Sequence, residues 1–536
     1  MHNTNAFTRI LPPIRRCLAL LLACLALAAC APQTPQEVSS IFNTTPEPVL
    51  KTVYEGDLLL PVDGDLNPVI DLSPWNQSLF RLIYDSPVQL DDAGKPAPAL
   101  TTAWSTTDGL VWRFTLRSGV SFHDGMALTA QDIVRSYETL RYGDAYKAML
   151  SPIASMQADD DATITVTAKQ AGYSLLYAMT FPVLGREEHE ALPVGTGPWR
   201  VESRAQGVEW VLTRNASWYR KQPVIDTIRA YPASSEDEAL GMLAQGNLSL
   251  APIFQALSPT AVSGAGARHI AITTRQYEFL APNFSSAILS RPEVREAIAY
   301  ALDVPTLIAQ RLEGQALEAE TPVIPGSWLS NPAAHVYHYQ PEKAQQALVL
   351  AGWTLGSDGV YMLHRNAEDY DALRPQTLTF RLLVNLDRIT PTRRDTARLI
   401  SDMLAKAGMR VELVELEWDA YQTALINGDF DLALAGITID RAGDLTPLLG
   451  SNGERNIMRF ADAELDTLLA QCQAATDEAA IVQAYAAMQT ATARKLPIIG
   501  LYFRAGVLAY APELTGIAIS TQDALYYRAD AWMFIK

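Results

Sequence analysis

Cysteine is scarce in this chain of 536 residues, where it occurs only at Cys17, Cys24, Cys30 and Cys472. The first three lie within or directly after an apolar segment at the amino terminus. If that segment is removed and Cys30 is modified, only Cys472 remains. This distribution excludes an intrachain disulfide and a cysteine-based metal site in the folded part of the protein.

Basic residues are also few. Lys and Arg number 42 against 59 Asp and Glu, which gives a net charge of −17. The basic residues do not cluster, and aromatic residues are not interleaved with them. Because phosphate backbones are bound by clustered Lys and Arg, we expect no nucleic-acid partner.

Catalytic motifs are missing as well. The chain contains no G-x-S-x-G, H-E-x-x-H or G-x-x-x-x-G-K-[ST] motif. The stretch VGTGPW at 194–199 lacks the lysine and the helix start that a phosphate-binding loop needs. His335 and His338 could bind a metal only with help from other ligands, and a solvated loop is the alternative. We therefore expect a binding protein, with no enzymatic activity, no metal and no other cofactor.

Only one apolar run is long enough to suggest a membrane signal. Three arginines precede CLALLLACLALAA at 17–29, which is too short to span a bilayer but has the length of a signal-peptide core. The end of the run, LALAAC, resembles the bacterial lipobox, which implies that Cys30 is lipidated and becomes the first mature residue. Residues 31–50 are rich in Pro, Ser and Thr and predict a flexible linker. A plain secretory signal is the alternative.

Helical and strand-like patterns alternate along the rest of the chain, which predicts an α/β protein. Residues 110–117 alternate as a half-buried strand does. A β-α-β-α-β unit is predicted from 377–385, 392–408, 409–416, 419–426 and 430–437. Its strands should be parallel. Because ligands bind beyond the carboxyl ends of such strands, the loop that begins at Thr438 is the first candidate site.

The stretch GVSFHDGMALTAQDIVRSYETL at 119–140 places His123 beside Asp124. Asp124 followed by glycine is typical of a turn, and Thr129 with Asp132 predicts a capping box that opens a helix. We interpret His123 and Asp124 as structural parts of this turn and not as an acid–base pair.

Residues 98–140, which begin PALTTAWSTTDGLVWRFTLRSG, closely resemble the signature of the family 5 extracellular solute-binding proteins. These are the oligopeptide- and dipeptide-binding components of ABC importers. A stretch at 65–100 resembles the family's opening, and similar stretches follow in the family's order at 194–232, 291–308, 339–353 and 497–517. The resemblance covers nearly the whole mature chain.

The resemblance implies an α/β, two-lobed periplasmic-binding-protein-like fold of the cluster C type, which carries an additional inserted domain. The implied parts are a lipoprotein signal peptide at 1–29, a linker at 30–51, lobe I at 52–83 with 193–280 and 506–536, the inserted domain at 84–192, and lobe II at 281–505. His123 and Asp124 would then lie in the inserted domain, away from the cleft between the lobes.

The resemblance also implies ligand-binding residues. In peptide-binding members, the glycine that closes the last strand of the second lobe is followed four residues later by an aspartate that pairs with the peptide's ammonium group. Gly436 and Asp440 occupy these positions. Asp444 is a nearby competitor, and a solvated loop acid is the alternative. Trp418 matches a tryptophan that lines the family's pocket, although packing beneath the cleft is an equal alternative.

This chain departs from the family where oligopeptide binders place an arginine near the ligand. Leu425 and Leu434 stand at those positions, and Ile437 replaces the usual aromatic residue. A residue that binds a ligand carboxylate must therefore come from elsewhere. Arg388 and Arg441 are the two candidates, although a surface arginine is the favoured alternative for each.

The resemblance implies a monomer that is anchored outside the cytoplasm by its lipid. It would capture a peptide-like solute between two lobes and deliver it to an ABC permease and ATPase complex. The same fold binding an oligosaccharide or another non-peptide, and a receptor that senses peptides, are the alternatives. A lipoprotein hydrolase would need a nucleophile–base pair that the sequence does not offer.

Overall fold

The structure, a computed structural model, describes residues 52–186, 192–254, 259–364, 375–386, 392–518, 520–526 and 528–536. The signal peptide, the linker with Cys30, and Arg388 lie outside these residues. Val53–Lys536 forms one compact unit. Among the described helices, none has the length and apolar character that crossing a membrane requires.

Two four-stranded sheets are built from the first half of the chain. The first sheet has the strand order β2 (Leu58–Val62), β11 (Thr227–Pro232), β10 (Glu209–Arg214) and β9 (Trp199–Ala205). The second is fully antiparallel, in the order β5 (Thr101–Thr106), β6 (Val111–Leu116), β8 (Thr163–Ala168) and β7 (Ile153–Asp160). In β6 the residues Trp112, Phe114 and Leu116 are buried and alternate with exposed ones, which confirms the predicted strand.

The largest sheet joins distant parts of the chain. Its order is β12 (Leu250–Ile253), β21 (Ile499–Tyr510), β13 (Arg268–Pro282), β20 (Leu432–Thr438), β18 (Thr379–Asn385) and β19 (Arg410–Leu416), with β14 (Ala316–Glu318) on β21 and β23 (Ser520–Thr521) on β13. The two longest strands, β13 and β21, pair antiparallel along their lengths. Their register breaks between Thr273 and Tyr277, where the sheet changes partners from β23 to β20.

Shorter strands complete the β structure. They are β1 (Val53–Tyr54), β3 (Val88–Leu90), β4 (Pro96–Pro98), β15 (Trp353–Leu355), β16 (Tyr361–Leu363), β17 (Gln376–Thr377), β22 (Leu514–Thr515) and β24 (Met533–Ile535).

The α-helices of the described residues vary from one to five turns. They are α1 (Pro74–Ile83), α2 (Ala130–Leu140), α3 (Lys147–Leu150), α4 (Leu175–Ala178), α5 (Glu236–Ala244), α6 (Pro259–Gly264), α7 (Pro292–Ala301), α8 (Val304–Arg311), α9 (Pro341–Leu350), α10 (Thr392–Lys406), α11 (Trp418–Asn427), α12 (Thr446–Leu449), α13 (Ala463–Ala474) and α14 (Glu478–Lys495). Helices α7 to α10 pack with strands β18 and β20 around one apolar core, and a larger core lies in the rest of the unit.

The β-α-β-α-β prediction is confirmed. Strand β18 pairs in parallel with β19 on one side and with β20 on the other, and α10 and α11 connect them. The parallel strands bring Asn385, Leu416 and Thr438 to one edge of the sheet. The loop after Thr438 therefore begins at the place where sequence patterning put the candidate site.

The turn at 119–129 also follows the prediction. The side chain of Asp124 accepts a hydrogen bond from the backbone N–H of Met126, and Gly125 has a φ of +85°. Helix α2 begins after Thr129, whose backbone N–H donates to Asp132 Oδ2 at 2.9 Å. Asp132 also pairs with Arg186, which ties the helix start to a distant loop.

Candidate functional site

The loop after β20 positions Asp440 and Arg441. The backbone N–H of Ile439 donates to the carbonyl of Arg275, and the guanidinium of Arg275 returns a hydrogen bond to the carbonyl of Ile439 at 2.7 Å. Asp440 Oδ1 accepts the backbone N–H of Asp444 at 2.9 Å. Asp444 itself caps the next turn by accepting the N–H of Thr446. The loop is thus fixed by hydrogen bonds to its backbone, while Asp440 is an exposed residue.

Asp440 lines a small cavity of about 90 Å³. The rest of the wall is mostly apolar and includes the aromatic residues Tyr177, Trp328 and Tyr485. The desolvation caused by these surroundings raises the pKa of Asp440, and the like charge of Asp444 adds to the shift. A carboxylate in such a place gains more from a cationic partner than one in open water does.

A second, larger cavity of about 470 Å³ adjoins the first. The two cavities share Leu90, Arg441 and Asp523 in their walls, so they are neighbours. The larger cavity is lined by helix α1, by the segment that follows it and by the carboxy-terminal segment 523–530. The volume of the larger cavity suits a small solute.

Asp523 organises the wall between the two cavities. It is 8% exposed, and its Oδ1 lies 2.9 Å from Arg441 Nη2 while its Oδ2 lies 2.9 Å from Arg275 Nε. Arg441 also directs Nη1 toward the Thr180 hydroxyl and the Met149 sulfur. The opposite charges of these arginines hold the pKa of Asp523 below its ordinary value in spite of burial. Arg441 is therefore a fixed cation in both cavities.

Arg81 is a further cation of this wall. Burial lowers the pKa of its guanidinium to about 10, and the like charge of Arg441 acts in the same direction. Across the residues that the structure describes, the guanidinium of Arg81 forms no hydrogen bond and no ion pair. Its charge is balanced only at a distance, by Asp523.

Asp85 is the most strongly perturbed carboxyl group of the larger cavity. Burial raises its pKa to about 6, although Arg220 and hydrogen bonds oppose the shift. Trp218 Nε1 and the Thr196 hydroxyl donate to Oδ2 at 3.2 and 3.3 Å. Asp85 thus already has protein partners for its charged form.

Trp418 lies at a different place from Asp440 and Arg441. It opens helix α11, is 51% exposed and stacks on Tyr421 at a centroid distance of 5.8 Å. It does not belong to the walls of the two cavities within the described residues. Its role in binding remains a prediction.

A second arginine–carboxylate cluster occupies the adjacent part of the sheet. Glu278 of β13 is 5% exposed, and its two carboxylate oxygens accept hydrogen bonds from Arg504 of β21 and from Arg393 of α10 at 2.9 and 2.8 Å. Arg393 also donates to Asn385 at the end of β18. This cluster fastens both long strands to the edge at which the candidate loop starts.

The histidines that the sequence singled out have protein partners. His335 Nδ1 lies 3.1 Å from Glu320 Oε1, and its ring packs against His338 at 4.6 Å. Among the described residues no group of three metal-binding side chains comes together. His123 Nδ1 accepts the backbone N–H of Gly195, and Nε2 contacts the carbonyl of Gly197. His123 therefore fastens the VGTGPW stretch to the turn.

Comparison with known proteins assigns the family. The model of the bacterial extracellular solute-binding proteins, family 5, matches residues 95–458, which is more than half of the chain. The chain belongs to this family. Its members are solute-binding proteins of ABC importers that act outside the cytoplasm.

The curated relatives are named for different ligands. The oligopeptide-binding protein AppA of Bacillus subtilis is 22% identical over 89% of this chain and 92% of its own length. Heme-binding protein A of Haemophilus influenzae is 25% identical over 96% of this chain and 98% of its own. Nickel-binding periplasmic protein of Escherichia coli is 26% identical over 65% of this chain and 66% of its own.

Solved structures confirm the predicted two-lobed α/β class. The periplasmic murein tripeptide-binding protein MppA, in its unliganded open form, has a TM-score of 0.77 with 19% identity over 91% of this chain and 99% of its own. A nickel ABC transporter protein from Bacillus halodurans has a TM-score of 0.75 with 20% identity over 87% of this chain and 97% of its own.

Sequence reasoning missed Arg81, Arg275, Asp523 and Glu278. Each is an ordinary charged residue in a helix, strand or loop without a local motif. Asp523 pairs with Arg441, which is 82 positions away in the sequence, and Glu278 pairs with Arg504, which is 226 positions away. A weak signal was available for Arg275 and Glu278, because charged residues inside the otherwise apolar strand RQYEFLAP need partners when buried.

Proposed function

We propose that this protein is a lipid-anchored receptor that captures a peptide-like solute and delivers it to an ABC permease and ATPase complex. The observation that carries the peptide class is Asp440, a carboxylate with a raised pKa at the wall of a small cavity beyond the end of a parallel strand. An ammonium group placed there would form a charge-assisted hydrogen bond, roughly twice as strong as a neutral one.

The division into lobes supports capture by closure. In this proposal lobe I comprises 52–83, 193–280 and 506–536, the inserted domain 84–192, and lobe II 281–505. Strands β13 and β21 would connect the lobes, and the register break between Thr273 and Tyr277 supports a bend there. A solute that touches both lobes favours the closed form by its differential affinity.

The anchor follows from the amino terminus. Lipid attached to Cys30 would hold the monomeric binding unit at the outer side of the cell membrane through the linker at 30–51. Replacement of Cys30 by serine is expected to abolish labelling with radioactive palmitate and to release the protein from the membrane fraction. Labelling that persists in this variant would contradict the assignment.

An oligosaccharide is the competing solute, and the aromatic residues Tyr177, Trp328 and Tyr485 in the small cavity favour it. The charged Asp440 in the same wall favours a cationic solute instead. Thermal unfolding of the purified protein with alanine peptides of two to five residues, and separately with maltose to maltopentaose, distinguishes the two. A ligand at a hundred times its dissociation constant should stabilise the protein by about 2.7 kcal/mol. Stabilisation by the sugars alone would overturn the peptide proposal.

A further inference from the structure

One of the arginines that line the larger cavity is Arg81, whose guanidinium forms no ion pair with a described residue. Arg81 lies on the last turn of helix α1, and Gln77, Phe80 and Tyr84 of the same segment line the cavity with it. In the part of the chain that the structure describes, its guanidinium has no hydrogen-bond or ion-pair partner. Five N–H groups are thus left for water or for a bound solute.

Asp523, the carboxylate whose charge acts on Arg81, already pairs with Arg441 and Arg275. Its Oδ1 accepts from both Nε and Nη2 of Arg441, and its Oδ2 faces Arg275 at 2.9 Å. Three guanidinium groups therefore face one carboxylate. The lowered pKa of Arg81 reflects this imbalance, because burial and the charge of Arg441 both disfavour its charged form. An added anion would relieve both effects.

Five acids line the cavity, and three of those other than Asp523 have partners of their own. Asp91 accepts the backbone N–H groups of Ala93 and Lys95. Asp85 accepts from Thr196 and Trp218 and lies near Arg220. Asp92 is 3.7 Å from Arg528. Asp530 also lines the cavity, but it is not among the groups that shift the pKa of Arg81. A bound solute is therefore the available source of an anion for Arg81.

We propose that Arg81, together with Arg441, forms an oxyanion subsite that determines the class of solute. The solute would carry a carboxylate or phosphate group in the larger cavity and an amino group at Asp440 in the smaller one. The amino-group half of this inference rests on the proposed function. The oxyanion half rests on Arg81 and Asp523 alone.

A competition experiment with the purified full-length protein in detergent tests the subsite. An equimolar mixture of alanine peptides of two to five residues, each as free acid and as carboxy-terminal amide, is equilibrated with the protein at pH 7, and the retained peptides are quantified by mass spectrometry. We expect the wild type to favour the acids by about 10- to 100-fold, since a charged hydrogen bond contributes about 1.5–3 kcal/mol. The preference should vanish in Arg81→Gln and return in part in Arg81→Lys.

The matched control is Arg113→Gln. It removes the same charge from β6, where the side chain is 62% exposed and pairs with Asp159, and should retain the preference of the wild type. A second arm measures thermal unfolding in sodium acetate, sodium phosphate and sodium chloride at one ionic strength. Acetate or phosphate should stabilise the wild type and Arg113→Gln but not Arg81→Gln, and the more effective anion indicates the solute's acidic group.

The outcomes separate the two proposals. Equal retention of acids and amides by the wild type overturns the oxyanion subsite and leaves the peptide function standing. Retention of no peptide, with Arg81-dependent stabilisation by acetate or phosphate, supports the subsite and overturns the peptide function. Absence of both effects overturns both. If Arg81→Gln does not fold, the oxyanion subsite is tested by comparing the acid-to-amide ratio of the wild type with that of Arg81→Lys, which should be lower.

Discussion

Arg441 Nη2 lies 2.9 Å from Asp523 Oδ1, although the two residues are 82 positions apart in the chain. Arg441 belongs to the loop that follows β20, and Asp523 belongs to the carboxy-terminal segment beside β23. Their ion pair, extended by Arg275, joins two chain segments at the wall shared by both cavities. The carboxy terminus is therefore part of the candidate site.

Replacement of Asp523 by asparagine should destabilise the protein and weaken solute binding. The substitution leaves the partly buried Arg275 and Arg441 without their carboxylate, and breaking such a pair costs about 2–4 kcal/mol. The free energy of unfolding, measured with urea, checks this. Asp530→Asn is the control, because Asp530 lines the same cavity outside the ion-pair cluster. Equal stability of the two variants would contradict the assigned role of Asp523.

Replacement of Asp440 by asparagine should lower the affinity for an alanine peptide that the wild type binds by about 30-fold or more, since a buried ammonium loses its partner. Calorimetric titration measures the change. In the wild type the affinity should also fall on acidification at a higher pH than an ordinary aspartate would give, because the pKa of Asp440 is raised. Asp444→Asn is the control, since its Oδ1 accepts from the backbone of Thr446 in the loop and from Gln473 of helix α13. Unchanged affinity in Asp440→Asn would exclude this residue as the ammonium site.

Much of the fold could be predicted because its determinants are local. The alternation in β6, the capping residues before α2 and the apolar runs of β18 and β20 each depend on neighbours within a few positions. Parallel pairing then followed from the helical crossovers, which return the chain to the same end of the sheet. The position of the candidate loop was a consequence of that topology.

The composition of the site could not be predicted in the same way. Arg81, Arg275, Arg441 and Asp523 come from four separate segments, and nothing in the sequence near each one shows which charges it will meet. Arg441 had been considered for a ligand carboxylate, yet whether it pairs with solute or with protein depended on Asp523. That Arg81 has no side-chain partner among the described residues also depends on these long-range contacts.

Acidification should destabilise the protein through His123. Burial lowers the pKa of its ring to about 4, below the unfolded value of about 6.5. Between these values the unfolded chain binds a proton that the folded one does not, so stability falls as the pH decreases from 6.5 to 4. Protonation of Nδ1 would also remove the acceptor for Gly195 N–H.

Urea unfolding at pH 7 and pH 4.5 of the wild type and His123→Gln tests this effect. The wild type should lose about 1–3 kcal/mol more than the variant over this interval. His269→Gln, in β13 and outside the turn, is the control and should behave as the wild type does. An equal loss in the wild type and His123→Gln would show that the His123 ring is not kept neutral by the fold.

Two glycine substitutions should have opposite effects on stability. A Cβ at Gly436 would lie 2.9 Å from Glu278 Oε1 and 3.0 Å from its Cδ. Glu278 cannot move away easily, because Arg393 and Arg504 hold both of its oxygens. We expect Gly436→Ala to lower the free energy of unfolding by about 1–3 kcal/mol. Gly241 lies within helix α5 with nothing within 4 Å of an added Cβ, so Gly241→Ala should raise the free energy of unfolding by about 0.5–1 kcal/mol. A Gly436→Ala protein as stable as the wild type would mean that the Glu278 carboxylate is free to move, and that its two arginines do not fix it between the long strands.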